Sequence, residues 1–155
     1  MNAWTGAVLD AAVPAQPQVR DNMGGRDFED LELYRLAREF RKAIYDLTDQ
    51  LPADERFNLV SQMRRAALSI TNNIAEGHGT YTFKQNIGYL HRARGSIHEL
   101  RDDLNLCDDQ SYIEAQRLSE LRSAATRLTQ VLNGYVRYLR TRGPRPSEAG
   151  EPSTS

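Results

Sequence analysis

The chain has 155 residues, with 20 Lys and Arg against 21 Asp and Glu and a formal net charge of −1. That size suits one domain with a self-sufficient core, and the balance excludes the bulk basic excess of a dedicated nucleic-acid binder, leaving only a local patch for such a contact. A single cysteine, Cys107, rules out an internal disulfide and a cysteine-based metal site and suits a reducing cytoplasm. No apolar run approaches the roughly 18 residues of a membrane span. The opening MNAWTGAVLDAAVPAQPQ has no basic residues ahead of its apolar patch, unlike a signal peptide. The expectation is a soluble, cytoplasmic protein.

Residues 1–26 mix Ala, Pro and Gln without periodicity, and residues 143–155 are rich in Pro, Ser and Gly. Both segments read as disordered tails, because neither has enough apolar surface to offset its ordering entropy. Between them, residues 27–142 carry four helical patterns and no strand alternation. The first uses Leu33, Leu36, Ala37, Phe40, Ile44, Leu47 and Leu51 and is broken by Pro52. The second begins near Ala53 or Asp54, carries Leu59, Met63, Ala66, Ile70 and Ile74 on its seam, and is closed by Gly77 and Gly79 as stop signals.

The third starts at Thr82, whose TFKQ spells a capping box, and runs through Phe83, Ile87, Leu90, Ile97 and Leu104 to about Cys107 or Asp108. A second capping box, Ser111 to Glu114, opens the fourth, which continues through Leu121, Ala125, Leu128, Leu132, Tyr135 and Leu139 until Gly143-Pro144. Short connections favour antiparallel neighbours, so the fold class is all-α, an antiparallel up-down four-helix bundle.

Beside the apolar seam of the second helix runs a polar stripe, Gln62, Arg65, Ser69, Asn73 and Glu76. With a turn near residues 79–81, antiparallel pairing sets Asn73 against Gly88, Ser69 against His91, Arg65 near Gly95 and Ser96, and Gln62 near Glu99. A helical glycine costs about 1 kcal/mol relative to alanine. Gly88 and Gly95 therefore predict a close-packed polar joint, with an Arg65 to Glu99 ion pair at its edge.

The motif Gln62-x-Arg64-Arg65-Ala66-Ala67-x-Ser69-Ile70-x-x-Asn73-Ile74-Ala75-Glu76-Gly77, followed by Ala93-x-Gly95-Ser96-x-x-Glu99, resembles the four-helix bundle family encoded by intervening sequences of bacterial 23S rRNA genes. The likeness spans about residues 28–139. It departs at Thr71-Asn72, where the family commonly carries Pro and a small residue. The resemblance implies a left-handed up-down bundle similar to the accessory proteins of diversity-generating retroelements, which form homopentameric barrels and contact nucleic acid and a reverse transcriptase. It implies no catalytic residue. The partners it suggests are a second copy of the chain, RNA or a reverse transcriptase.

Arg64, Arg65, Lys84, Arg92 and Arg94 form a candidate phosphate-binding patch, with Arg64 facing a partner. The competing reading is a solvated surface balanced by Glu76, Glu99, Asp102 and Asp103. Arg92 and His98 fit a loose ribonuclease pattern of Arg and His separated by four to six residues, but six positions along one helix leave them about 120° apart. A di-iron site would need Glu three positions before each histidine, where Ala75, Gly88 and Gly95 stand instead. No metal or cofactor is expected. Gly77-His-Gly79 lacks the Lys-Ser/Thr of a phosphate loop, and Cys107 has no adjacent base. Tyr34, Tyr45, Tyr89 and Tyr138 flank the core stripes, as interface aromatics or as half-buried core edges. The functional expectation is a non-enzymatic, self-assembling scaffold associated with RNA or a reverse transcriptase, the rival being a pure protein-interaction module.

Overall fold

In the computed structural model, which describes residues 27–142, four helices form an up-down bundle. They are α1 (Glu32–Thr48), α2 (Leu59–His78), α3 (Phe83–Asp109) and α4 (Ala115–Thr141). The expected tails, residues 1–26 and 143–155, lie outside the described residues. Each helix packs on its two neighbours around the square, α2 most extensively on α3 and α1 least on α4. One end of the bundle carries the α1–α2 and α3–α4 loops, the other the α2–α3 loop.

The core is one apolar cluster fed by all four helices. Phe40 and Ile44 of α1, Leu59, Met63, Ile70 and Ile74 of α2, Leu90, Ile97, Leu100 and Leu104 of α3, and Leu121 and Leu128 of α4 are fully buried. At roughly 1.5–3 kcal/mol for each large side chain, this burial is the main term favouring the fold.

Helix ends follow the predicted chemistry in one place and depart from it in three. At α3 the capping box forms: the Gln85 amide donates to Thr82 Oγ1 at 3.0 Å, and the Thr82 amide donates to Gln85 Oε1 at 3.3 Å. The second box does not form. Ser111 lies at φ 56°, beyond the end of α3, and α4 begins only at Ala115 with no side-chain cap from Glu114. The Ser111 amide donates to Asp108 O (3.0 Å) and the Tyr112 amide to Cys107 O (2.8 Å). These are the two bonds of a Schellman stop, so the serine ends α3 instead of starting α4.

α2 starts at Leu59, not at Ala53, because Ala53–Glu55 forms a 3-10 turn that brings the Glu55 carboxylate back to the helix. Glu55 Oε2 accepts from the Leu59 amide (3.4 Å) and Asn58 Nδ2 (3.2 Å), while Oε1 accepts from the Tyr112 hydroxyl (3.2 Å), tying both loops of this end together. Gly77 is a buried residue within α2, not its stop. The chain leaves the helix through Gly79 and Thr80, whose hydroxyl donates to the Gly77 carbonyl at 2.6 Å. The Thr71 departure leaves α2 unbroken: Thr71 Oγ1 is buried and accepts from Arg41 Nη1 at 2.8 Å, joining α1 to α2.

Candidate functional site

The polar joint between α2 and α3 is narrower than its sequence pattern. Ser96 Oγ donates to Ser69 Oγ at 2.8 Å, and Asn73 Nδ2 donates to Ser69 Oγ at 3.0 Å and Ser69 O at 2.8 Å. Ser69 therefore faces Ser96, five positions and more than one turn beyond the predicted His91, because α3 is displaced along its axis relative to α2 from the level alignment assumed for the pair. Gln62, Arg65, Glu76 and Glu99 are exposed, and no Arg65–Glu99 ion pair forms among the described residues.

The glycines exchange roles with the expectation. A Cβ at Gly88 or Gly95 would meet nothing within 4 Å, so both sit on the open face of α3 and not in a helix crossing. The close approach occurs at Gly77, where a Cβ would come within 2.6 Å of Asn86 Oδ1, 3.0 Å of Tyr89 Cβ and 3.2 Å of the Asn86 carbonyl.

The five cations of the candidate patch do not form one surface. Arg64 is a clamp on the end of α1: Nε donates to Thr48 Oγ1 (2.8 Å), Nη2 pairs with Asp49 Oδ1 (2.7 Å), and the guanidinium stacks 4.9 Å from the Tyr45 ring centroid. It is thus turned into the fold, against the outward placement expected of it. Arg92 lies over the Tyr89 ring, 4.8 Å from its centroid. Arg94 Nη1 donates to Asn133 Oδ1 at 3.2 Å across to α4, while Lys84 and Arg65 are exposed on different helices.

Charge is strongly segregated, which the whole-chain balance conceals. Residues 83–98 and 121–142 contain no Asp or Glu, whereas residues 27–55 hold nine acidic against four basic residues and residues 99–120 hold seven against two. Antiparallel packing sets residues 83–98 beside the C-terminal half of α4, since Arg94 of α3 reaches Asn133 of α4 at 3.2 Å; the earlier part of the acid-free α4 segment faces acids instead, Arg122 pairing with Asp108 of α3 and Arg127 with Glu32 of α1, both at 3.6 Å. His91 lies in this seam: partial burial, then the charges of Arg94 and Arg140, hold its imidazole below the ordinary value. The signal was present in the sequence, but only when charge is counted by helix half.

The remaining candidates resolve structurally. Arg92 and His98 stay exposed on separate parts of α3 and build no shared site. Cys107 is buried, and its thiol is pushed up to about 11 by burial, then by Asp103 and Glu55, so it is a packing residue without thiolate character. Asp103 is also buried, with Oδ2 unpartnered; burial, then Asp102 and Glu99, push its carboxyl up to about 6 against the opposing pull of Arg65. Among the described residues no three His, Cys, Asp or Glu side chains are placed to hold a metal ion, and no helix is long and apolar enough to cross a membrane. The four tyrosines are half-buried: Tyr34 meets Phe28 edge-on at 4.9 Å, Tyr138 stacks with Tyr135 at 6.1 Å, and Tyr45 and Tyr89 lie under arginines.

Among the described residues, fold and surface together define an all-α bundle with a cationic face. The chain belongs to the 23S rRNA-intervening sequence protein family, whose model matches residues 29–134. It is also similar to a crystal structure, at 1.70 Å resolution, of a protein of unknown function from the S23 ribosomal protein family of Bacteroides thetaiotaomicron. The two share 22% identity at a TM-score of 0.63, over 68% of this chain and 95% of that one. No curated protein sequence matches the chain.

Proposed function

We propose that this protein is a non-enzymatic helical scaffold that self-assembles and associates with structured RNA. The observation that carries the reading is the charge segregation: a near-neutral chain with two adjacent helix halves free of Asp and Glu presents a local field that attracts a polyanion. The family name, which ties its members to sequences inserted in 23S rRNA, supports RNA as that polyanion. Self-assembly has its own support in apolar side chains left on the surface, with Phe57 88% and Tyr81 79% exposed at opposite ends of the bundle and Leu68 and Leu106 on helix exteriors. A reverse transcriptase remains a partner only by likeness to retroelement accessory proteins.

Fluorescence anisotropy of the full chain against a labelled structured RNA tests the nucleic-acid part. Saturable binding that weakens steeply with salt is the expected result, and absence of binding at low salt contradicts it. Light scattering on the eluting protein tests assembly, a single-chain mass at micromolar concentration being the contrary outcome.

A further inference from the structure

We infer that the face shared by the first half of α3 and the second half of α4 is a binding site for the phosphate backbones of double-helical RNA. This rests on the RNA-associated reading and adds to it the site and the form of the ligand.

The outward stripe of α3 is Lys84, Gly88, His91, Gly95 and His98, spaced by four, three, four and three residues, so that all five share one face over about 21 Å. Beside it, Arg94 and Asn133 bridge to α4, where Arg137 and Arg140 are exposed. No carboxylate belongs to either helix half. Exposed arginines without carboxylate partners on their own surface are the groups that phosphate contacts recruit.

The two glycines supply shape to this charge. Each costs about 1 kcal/mol in a helix interior, and neither returns that cost through packing, since a Cβ at either would lie in open space. Their effect is to lower the helix surface between Lys84 and the imidazoles of His91 and His98, so that a bulky backbone can lie against α3 and reach the neighbouring arginines.

The form of the ligand follows from what the face lacks. Single-stranded RNA is held by stacking bases on aromatic rings. Here the exposed aromatic side chains among the described residues, Phe57 and Tyr81, stand in interhelical loops, Tyr89 is covered by Arg92, and the half-buried Tyr135 and Tyr138 of the α4 half stack on each other at 6.1 Å. Cations without stacking rings suit a duplex, whose bases are paired and whose phosphates face outward.

The test uses the full chain, a 20-base-pair RNA duplex, its single strand and the same duplex as DNA, with affinity measured between 50 and 200 mM salt. The RNA duplex is expected to bind at least tenfold more tightly than the single strand and more tightly than the DNA. Arg137→Glu with Arg140→Glu is expected to weaken binding at least tenfold and to reduce the salt slope by about 2, since each phosphate contact contributes about 0.9. Arg35→Glu with Arg38→Glu on α1 is the control with equal charge change and should have little effect. Gly88→Glu with Gly95→Glu places carboxylates in open space on a helix that tolerates them, so it should abolish binding while keeping the fold, as judged by circular dichroism.

Equal weakening by the α1 and α4 pairs, or full binding by the glycine variant, overturns the site while leaving RNA association standing. A single strand or DNA duplex bound as tightly as the RNA duplex overturns the ligand. Absence of binding to every RNA overturns both this inference and the reading on which it rests.

Discussion

Arg64 of α2 and the pair Arg137 and Arg140 of α4 differ in what the fold does with them. Arg64 spends its guanidinium on Thr48, Asp49 and the Tyr45 ring, locking the start of α2 to the end of α1. Arg137 and Arg140 stand exposed on α4, in a segment without acids. Arg64, one of the two arginines inside the most recognisable motif, is thus a structural clamp, and less conspicuous ones outside it supply the cationic face. A charged residue in a family signature is not evidence of a binding site until its partners are known.

The same contrast exists among glycines, and it gives the largest expected effect. Gly77→Ala pushes a methyl group against the buried Asn86 side-chain oxygen (2.6 Å), then Tyr89 Cβ (3.0 Å) and the Asn86 carbonyl (3.2 Å), and after the gain in helix propensity it should destabilise by about 1–3 kcal/mol. Gly88→Ala meets open space and should stabilise by up to about 1 kcal/mol. Chemical denaturation of both variants checks the pair, and equal signs would erase the distinction.

Arg64→Ala should lower stability by about 1–2 kcal/mol, the summed scale of a hydrogen bond, an exposed ion pair and a stacked cation, whereas Arg140→Ala should stay within about 0.5 kcal/mol. Melting curves that reverse this order would place the clamp and the free face wrongly.

Asp103 adds a pH dependence. Its folded-state carboxyl titrates near 6, above the ordinary value of 3.8, so the native state holds a proton that the unfolded chain has released. Stability from this group is greatest below about pH 4 and is lost as pH rises through about 6. Asp103→Asn should therefore stabilise the protein at pH 7.5 by roughly 1–2 kcal/mol and have little effect at pH 4. Denaturant midpoints at both pH values check it; a gain of the same size at pH 4 would contradict the assignment.

Ser111→Gly gives the smallest of these effects. Relief of a left-handed serine at the Schellman stop should add up to about 1 kcal/mol, readable as a rise in melting temperature, while no change would show that the position is unstrained.

The four helices, their core stripes and the α3 cap were legible because each rests on local pattern: apolar spacing, Pro52, and Thr82 with Gln85 three positions on. What was not legible depends on competition between elements. Ser111 and Glu114 spell a helix start, yet the end of α3 claims the serine. Periodicity fixes the angle at which Gly88 points but not whether a helix lies there, and it does not fix the axial offset between α2 and α3 that sets Ser69 against Ser96 instead of His91. The cationic face was hidden for another reason, since net charge averages over surfaces that the fold separates.

The most direct measurement is an amide-resolved NMR titration of the full chain with the RNA duplex. Shifts concentrated in residues 84–98 and 133–142, with α1 and Arg64 silent, are the predicted result. Shifts centred on α1 or on the Arg64 clamp, with the α3–α4 face unmoved, would contradict the account.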